Sequence, residues 1–183
     1  MPLNDVDLIA RVLSSEDQHA FAELVRRYQS PVRGFLARMT KGDMHLADDL
    51  AQETFLKAWR KLPAYRGSAL FSTWLFGIAF NEFRTVARQR RELTLDDIDE
   101  PLAEGAQSAI DSPSGLRLDL TEALKRLHSN ERAAVLLCCQ NGLSHEEAAA
   151  ALDCPLGTVK TNVLRGKEKL KRWLSGYQRY ESI

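Results

Sequence analysis

The sequence has few of the features that mark membrane, secreted or metal-binding proteins. It contains three cysteines in 183 residues, and no two of them are spaced as a metal-binding or redox pair. No run of about eighteen apolar residues occurs, so no membrane-spanning helix is predicted. The N-terminus is acidic and has no apolar stretch of a secretory signal, which favours a cytoplasmic protein. We therefore expect buried free thiols, no membrane insertion, and neither a metal nor another cofactor.

The patterns of common catalytic sites are also lacking. We find no nucleophile–base pair, no phosphate-binding glycine loop and no cluster of metal ligands. Asp48 and Asp49 are adjacent carboxylates, but neighbouring residues on a helix diverge by about 100° and do not converge on one substrate. An enzyme is therefore the least favoured class of function.

The formal net charge is zero, yet the charges are segregated along the chain. Residues 84–91 contain four arginines and no acid, and residues 157–180 contain seven bases and one acid. Between them, residues 92–115 contain seven acids and no base. Such segregation creates local fields that the overall sum conceals, and it leaves a nucleic-acid partner open.

The apolar pattern predicts helices and no strands. Asn4 and Ser15 are candidate N-caps, and Pro63 and Gly67 interrupt the pattern. In the first part of the chain the candidate helices cover residues 5–13, 17–40, 44–62 and 71–91. In the last part the predicted breaks are at residues 129–130, 141–142 and 153–155. The predicted fold is all-α, with two small helical domains (5–91 and 116–178) joined by an acidic flexible linker (92–115).

The third predicted helix carries a leucine on its polar side. Its broad apolar face is predicted to be core and consists of Ala47, Leu50, Ala51, Thr54, Phe55, Ala58, Trp59 and Leu62. The opposite side carries Leu56 amid Asp49, Gln52, Glu53 and Arg60. Single exposed leucines are common. Two interpretations therefore remain open here: an ordinary surface residue, or an anchor for another protein.

Residues 143–174 have the pattern of a helix-turn-helix. Ser144 and Glu147 form a capping box, Asp153 suits a left-handed turn position, and Pro155 suits the first position of the next helix. The predicted inward-facing positions are Ala148, Ala149, Leu152, Val159 and Val163. In this motif the second helix enters the major groove by its N-terminal part. That part offers polar groups for bases and phosphates from Thr158, Lys160, Thr161, Asn162 and Arg165, followed by Lys167, Lys169, Lys171 and Arg172. The alternative is a helical hairpin with a solvated basic tail.

Residues 66–91 are aromatic first and basic later. A strip along this helix consists of Gly77, Asn81, Arg84, Arg88 and Arg91, with Trp74 at its border. A glycine inside a helix costs about 1 kcal/mol relative to alanine, which favours close approach of another group at Gly77. Arginines beside an aromatic residue, after a Gly-Ser loop, suit single-stranded nucleic acid. The alternative is a core helix with a solvated arginine edge.

Together these segments resemble the extracytoplasmic-function (ECF, group IV) sigma factors of bacterial RNA polymerase. DDLAQETFLKAWRKLPAYRGSALFSTWLFGIAFNEFR resembles sigma region 2, and the earlier AFAELVRRYQSPVRGFLARM resembles the start of that region. GLSHEEAAAALDCPLGTVKTNVLRGKEKL resembles region 4. The resemblance implies a non-catalytic subunit that binds core RNA polymerase and directs promoter recognition, DNA melting and transcription initiation.

The resemblance also implies a role for each surface. Docking on the β′ clamp helices of the polymerase would involve Asp49, Gln52, Glu53, Leu56 and Arg60, and region 4 would meet the β flap. Capture of the melted minus-ten strand would involve Arg66, Gly67, Ser68, Trp74, Asn81, Arg84 and Arg88. Recognition of the minus-thirty-five element would involve Thr158, Lys160, Thr161, Asn162, Leu164 and Arg165.

Members of this family are commonly held inactive by an anti-sigma factor, which the resemblance therefore implies as a further partner. The main alternative is a sigma mimic, a protein that titrates an anti-sigma factor without binding DNA. The arginine strip and the basic second helix argue against a mimic, which needs neither. A simple helix-turn-helix repressor would leave residues 5–91 unexplained.

Overall fold

A computed structural model describes residues 3–95 and 115–175. Both ranges are helical and contain no strand, which confirms the predicted all-α class. The helices are α1 (Asp5–Ser15), α2 (Gln18–Met39), α3 (Met44–Lys61), α4 (Phe71–Leu95), α5 (Gly115–Arg126), α6 (Ser129–Val135), α7 (His145–Leu152) and α8 (Leu156–Ser175). A 3₁₀ turn (Leu62–Ala64) follows α3, and a π turn (Leu136–Gln140) follows α6. We call α1–α4 the N-terminal lobe and α5–α8 the C-terminal lobe.

The predicted acidic linker falls largely outside the described residues. Its first four positions, 92–95, extend α4, and its last residue, Gly115, begins α5. The predicted end of α4 at residue 91 was therefore one helical turn too early.

One of the two predicted N-caps is confirmed and the other is wrong. The Asn4 side chain accepts a hydrogen bond in the first turn of α1. Ser15 instead ends α1, and its hydroxyl donates to the carbonyl of Arg11. The cap of α2 is Asp17, whose carboxylate accepts two backbone N–H groups at 3.0 Å. Between the two helices the chain turns through Glu16 in the left-handed region (φ 50°), which moves the start of α2 beyond Ser15.

Large side chains hold the N-terminal lobe together. Phe35 of α2 is fully buried and meets Phe76 of α4 edge to face, with ring centroids 5.5 Å apart. Phe21 of α2 meets Trp59 of α3 in the same way at 4.9 Å. The buried aliphatic residues around these rings are Leu24, Val32, Leu36, Met39, Leu50, Ala58, Leu62 and Leu75. This packing fixes α3 and α4 against α2.

The C-terminal lobe relies on a close approach of α6 and α8. A Cβ placed on Gly166 would lie 2.6 Å from Cγ2 of Val135, so this position has no room for a side chain. Beside this contact, the Lys169 ammonium lies 2.8 Å from both carboxylate oxygens of Glu131. Lys169 therefore serves the fold rather than the predicted basic strip. Arg132 is buried and donates to backbone carbonyls near the end of α5 at 3.3 and 3.5 Å.

The breaks in this lobe follow the prediction with one shift. The chain leaves α5 through Leu127 and His128, and α6 begins directly after them, so residues 129–130 are helical. The cause is the His128 side chain, which accepts the backbone N–H two residues later and caps α6. The break at residues 141–142 is confirmed, with Gly142 at φ +73°.

The two lobes pack against each other along α4 and α7, over a contact as extensive as that between α2 and α3. At its closest point, a Cβ on Gly77 would lie 3.3 Å from the carbonyl oxygen of Ala151. The expectation that another group approaches Gly77 closely is thus confirmed. Ala151 is buried, whereas Ala149, predicted to face inward, is half-buried. The difference arises because α7 packs against α4 as well as against its own lobe.

Candidate protein-docking and nucleic-acid-binding surfaces

Leu56 lies on the outside of the N-terminal lobe, 40% exposed. It borders a groove of about 450 Å³ between α2 and α3. We call this the Leu56 groove; it is lined by Gln18, Phe21, Val25, Gln52, Phe55, Leu56 and Trp59. Aromatic and aliphatic walls with an exposed leucine at the edge are typical of a site for a partner's apolar side chains.

The groove exists because part of the predicted core face of α3 is not fully covered. Leu50, Ala58 and Leu62 are buried as predicted, but Phe55 and Trp59 are half-buried. Their rings extend past the edge of α2, where they meet its aromatic and aliphatic side chains. Helical periodicity predicts both rings in the core because it does not reveal how much of this face of α3 is covered by α2.

Polar side chains surround the groove, as the pattern of α3 predicts. The exposed positions are Asp49, Gln52, Glu53 and Arg60. Two neighbours have partners in the lobe. Lys57 forms an ion pair with Glu82 at 2.6 Å. Arg33 donates to Asp48, and this hydrogen bond lowers the pKa of the Asp48 carboxyl.

A second surface follows α4, where Asn81, Arg84 and Arg88 are exposed on one strip. Arg84 lies over the ring of Phe80, 5.8 Å from its centroid, which holds the guanidinium near the helix. Arg88 has an exposed neighbour of opposite charge, Glu92, at 3.6 Å. Among the described residues, Arg84 forms no ion pair and Arg88 forms only this exposed one, so the strip presents cations to solvent.

The loop before α4 is shaped by aromatic packing. Trp74 is half-buried and packs against Tyr65 and Phe71, with centroids 5.1 and 5.6 Å apart. The Tyr65 hydroxyl donates to the carbonyl of Ala69 at 2.5 Å, which closes the loop over residues 66–68. Arg66, Gly67 and Ser68 are exposed there, and Gly67 has φ +68°. The predicted minus-ten residues are therefore exposed in the loop before α4 and again from Asn81 onward, and α7 packs against α4 at Gly77 between these two groups.

A basic cleft of about 1010 Å³ joins the arginine strip to the other lobe. Besides Arg84, Arg88 and Arg91, it is lined by Lys41, His128 and Arg132. The last three were not predicted as site residues because they come from the turns after α2 and α5 and from α6. No local pattern in the sequence indicates that these segments meet.

The first helix of the helix-turn-helix is capped as predicted. The Ser144 hydroxyl accepts from the N–H of Glu147 at 3.1 Å, and the Glu147 carboxylate accepts from the N–H of Ser144 at 2.7 Å. Asp153 ends the helix in the left-handed region, at φ 49°. Pro155 precedes the first helical residue of α8, one position earlier than predicted, and its carbonyl accepts the first N–H groups of that helix. Its missing N–H costs nothing there because N-terminal N–H groups of a helix lack partners within it.

The second helix, α8, presents one face to solvent because Val159 and Val163 are buried on the other. The exposed residues include Thr158, Lys160, Thr161, Leu164 and Arg165, while Asn162 is half-buried. Leu164 is 59% exposed, which would place an apolar group beside thymine methyls in a groove. The predicted base- and phosphate-contacting residues therefore lie along one side of α8.

The arginine strip of α4 and the exposed face of α8 meet in this structure. A cleft of about 200 Å³ is lined by Arg84 of the α4 strip and by Thr158 and Asn162 of α8. Phe80 forms part of the same cleft. One of the expected minus-ten residues and two of the expected minus-thirty-five residues thus line the same cleft.

The described residues hold no group of three or more potential metal ligands. Cys138 and Cys154 are half-buried, and burial raises the pKa of both thiols. Cys139 is exposed, so the expectation that all three thiols are buried was wrong; it lies in the π turn, which rotates it away from the core. Within residues 3–95 and 115–175, no helix is both long and apolar enough to cross a membrane.

Comparison with known families gives two matches on this chain. Residues 24–92 match Sigma-70 region 2, and residues 117–170 match Sigma-70, region 4. The first match contains the arginine strip and the Leu56 groove except for Gln18 and Phe21. The second contains the helix-turn-helix.

Similar proteins cover nearly the whole chain. The ECF RNA polymerase sigma-E factor of Escherichia coli is 36% identical over 92% of this chain and 93% of its own. The RNA polymerase sigma-H factor of Pseudomonas aeruginosa is 36% identical over 93% of each. Among solved structures, the sigma factor RpoE of Bartonella quintana, in complex with the anti-sigma factor NepR, aligns with a TM-score of 0.72 at 30% identity, over 85% of this chain and 96% of its own. CnrH in complex with the cytosolic domain of CnrY aligns with a TM-score of 0.70 at 26% identity, over 94% of this chain and 97% of its own.

Proposed function

The chain belongs to the ECF family of RNA polymerase sigma factors, and from this premise we propose how its surfaces divide the work of transcription initiation. The family consists of transcription initiation factors rather than enzymes. The protein is a promoter-specificity subunit that binds core RNA polymerase and promoter DNA. We assign residues 5–91 to region 2, residues 92–115 to the connecting linker and residues 116–178 to region 4. The cytoplasm, where the polymerase works, is its proposed location.

The observation that carries this proposal is the pairing of two different surfaces with two family regions. The Leu56 groove is apolar with a polar rim, which suits a protein partner. The α8 face is basic and hydroxyl-rich with a leucine among its polar groups, which suits the major groove. We propose that the first docks on the β′ clamp helices, and that the second recognises the minus-thirty-five element while region 4 contacts the β flap.

The arginine strip and the loop before α4 are proposed to hold the melted minus-ten strand. Unpaired bases stack on or enter aromatic-lined pockets while cations hold the phosphates. Trp74 supplies an aromatic face beside the loop, and Arg84 and Arg88 supply exposed guanidinium groups. Asn81 lies between these groups on the same strip and can offer hydrogen bonds to a base edge.

We further propose that an anti-sigma factor controls this protein. Two solved relatives, RpoE and CnrH, were captured with the proteins NepR and CnrY. The Leu56 groove would be the shared target, because a protein that fills it competes directly with the polymerase.

The polymerase surface is tested by Leu56→Asp. A carboxylate at the edge of an apolar groove must be desolvated on docking, so we expect binding to core polymerase to weaken about 30-fold or more. Leu13→Asp is the matched control, because Leu13 is an exposed leucine (47%) on α1 of the same lobe. Binding would be measured by fluorescence anisotropy with purified bacterial core enzyme, and circular dichroism would check the fold. An unfolded Leu56→Asp protein, or equal loss in the control, would contradict the assignment.

The promoter surface is tested by Arg165→Ala. Loss of one base or phosphate contact is worth about 1–3 kcal/mol, so promoter affinity of the holoenzyme should fall about tenfold, while core binding stays unchanged. Arg26→Ala is the control, since Arg26 is an exposed arginine in the other lobe (66%). Equal loss of core and promoter binding would remove Arg165 from the DNA surface.

A further inference from the structure

The basic cleft beside the arginine strip has a one-sided charge balance. Several of its lining side chains stay cationic at neutral pH, and none of its described lining residues is acidic. The cations are Lys41, Arg84, Arg88, Arg91 and Arg132. Within the part of the chain that the structure describes, only Arg88 among them forms an ion pair, with the exposed Glu92 at 3.6 Å. Although the chain has equal numbers of acids and bases, this cleft therefore keeps a local excess of positive charge.

Arg132 is the buried member of this set. It is 3% exposed, and burial lowers the pKa of its guanidinium. Its Nη1 donates to the carbonyls of Leu124 and Lys125, and its Nε has no acceptor among the described residues. Burying a cation without a carboxylate partner is costly. An anion bound in the cleft would supply the missing counter-charge.

Lys41 enters the cleft from the turn after α2. Its backbone is left-handed (φ 58°), a conformation that favours glycine or asparagine over lysine. Lys41 is exposed and forms no ion pair with any described residue. The turn itself does not require a lysine, whereas the cleft gains a cation from it.

The spacing of the cations indicates how many phosphates a ligand carries. Arg84, Arg88 and Arg91 lie along one side of α4, and a rise of about 1.5 Å per residue separates the first from the last by about 10 Å. A single phosphate would leave most of this row unpaired. A chain of several phosphates pairs with all of it, and arginine binds phosphate oxygens through paired hydrogen bonds.

The remaining lining suits a nucleoside. Phe83 is half-buried and contributes an aromatic side chain on which a base can stack. Asn81 and Asn130 are exposed and offer amide donors and acceptors to base edges. At about 1010 Å³, the cleft lies at the upper end of the range for small-molecule sites.

We propose that this cleft binds a nucleoside polyphosphate, with its phosphates on the cations and its base against Phe83. The site shares Asn81, Arg84 and Arg88 with the strip proposed for the melted strand. A bound nucleotide would occupy these side chains and compete with that strand. Only this competition rests on the proposed function; the binding itself does not.

Isothermal titration calorimetry of the full free chain tests the site without polymerase or promoter. The probes are ATP, GTP, inorganic tripolyphosphate and inorganic phosphate, in buffer with a chelator and about 0.15 M salt. We expect one nucleotide per chain. Tripolyphosphate should bind about threefold or more weakly than the better nucleotide because it has no base to stack, and inorganic phosphate about tenfold more weakly again.

Three calorimetric results would overturn the proposal. The first is no binding of either nucleotide up to about 1 mM, an affinity too weak for a built site. The second is tripolyphosphate as tight as both nucleotides, which would remove the nucleoside from the site. The third is inorganic phosphate as tight as tripolyphosphate, which would remove the phosphate chain.

Two variants locate the binding. Lys41→Asn removes a cation while suiting the left-handed turn, and Arg91→Ala removes a cation that is not assigned to the minus-ten strand. Each should weaken nucleotide binding about fivefold or more. Lys61→Asn and Arg26→Ala are the matched controls, because both residues are exposed in the same lobe and lie outside the cleft. Circular dichroism would check the fold, and equal loss in the controls would overturn the proposal.

A single strand of DNA carries the same phosphate groups as a nucleotide, so an oligothymidine is titrated in parallel. We expect Lys41→Asn and Arg91→Ala to weaken the binding of the nucleotide itself. Loss of oligothymidine binding in these variants, with no binding of ATP or GTP to the wild type, would overturn the proposal and assign the cleft to a strand. Failure of the holoenzyme to make specific transcripts would instead refute the proposed function and leave the calorimetric result standing.

Discussion

The two lobes reach stable packing by opposite means. In the N-terminal lobe, rings fill the space between helices, and all ring–ring contacts among the described residues lie there. In the C-terminal lobe, the buried residues are mainly leucine, valine and alanine, and α6 and α8 approach because Gly166 has no side chain. Packing of the N-terminal lobe therefore depends on rings that fill the space between helices. Packing of the C-terminal lobe depends on a position that has no side chain.

This difference matches the proposed work of each lobe. Rings that extend past α2 leave an apolar groove, which suits docking of a protein. Small residues and a short turn bring two helices close and leave the outer face of α8 free for DNA. The same chemistry that packs each lobe thus determines which partner its surface can bind.

The largest effect on stability should come from removing a buried ring from the N-terminal lobe. Phe35→Ala removes a fully buried ring from the contact with Phe76 and leaves a cavity. We expect a loss of about 3–5 kcal/mol in the free energy of unfolding, measured by urea denaturation. A loss below about 1 kcal/mol would mean that Phe35 does not hold α2 and α4 together.

An intermediate effect on stability should come from adding a side chain at the contact between α6 and α8 in the C-terminal lobe. Gly166→Ala places a methyl group 2.6 Å from Cγ2 of Val135, a stiff β-branched side chain. Such overpacking costs about 1–3 kcal/mol, against a gain in helix propensity of up to about 1 kcal/mol. Gly157→Ala is the control on the same helix, where only the gain applies. Denaturation midpoints should therefore shift in opposite directions, and stabilisation by Gly166→Ala would contradict the close approach.

The smallest effect is the pH dependence of stability, which should differ between the two lobes. The carboxyl groups with lowered pKa values, Asp17, Glu23 and Asp48, lie in the N-terminal lobe. Their causes are hydrogen bonds from the Ala20 N–H, from Arg26 and from Arg33, respectively. A carboxyl whose pKa is lower in the folded state stabilises the fold above its unfolded pKa, about 4, and loses that stabilisation as the pH falls through its folded pKa.

Hydrogen exchange of the full chain at pH 6 and pH 3.5, corrected for intrinsic rates, measures this difference. We expect α1–α3 to lose more protection on acidification than α6–α8. Because Asp48 is exposed and Asp17 and Glu23 are only partly buried, water screens these interactions and the difference should be small. Greater loss in α6–α8 would contradict it.

The sequence predicted features that depend on local chemistry. The capping box at Ser144 and Glu147, the left-handed turn at Asp153 and the buried Val159 and Val163 all follow from spacing within one motif. The exposure of Leu56 followed from helical periodicity alone. These features are confirmed because no distant segment alters them.

Other features depend on segments far apart in the chain, and the sequence did not predict them. Glu131 and Lys169 are 38 residues apart and form an ion pair that periodicity cannot reveal. The contact of Gly77 with Ala151 was expected as a close approach, but its partner was not identified. The burial of Phe55 and Trp59 was overestimated because it depends on how much of α3 is covered by α2.

Sigma-factor function is tested most directly by transcription with purified bacterial core RNA polymerase, this protein and fragmented DNA from the same source. We expect discrete transcript starts that share two upstream motifs, near minus ten and minus thirty-five, and their loss with Leu56→Asp. A well-characterised sigma factor added to the same polymerase on its own promoter serves as the positive control. No specific starts from the folded wild-type protein, while the control transcribes, would contradict the central claim.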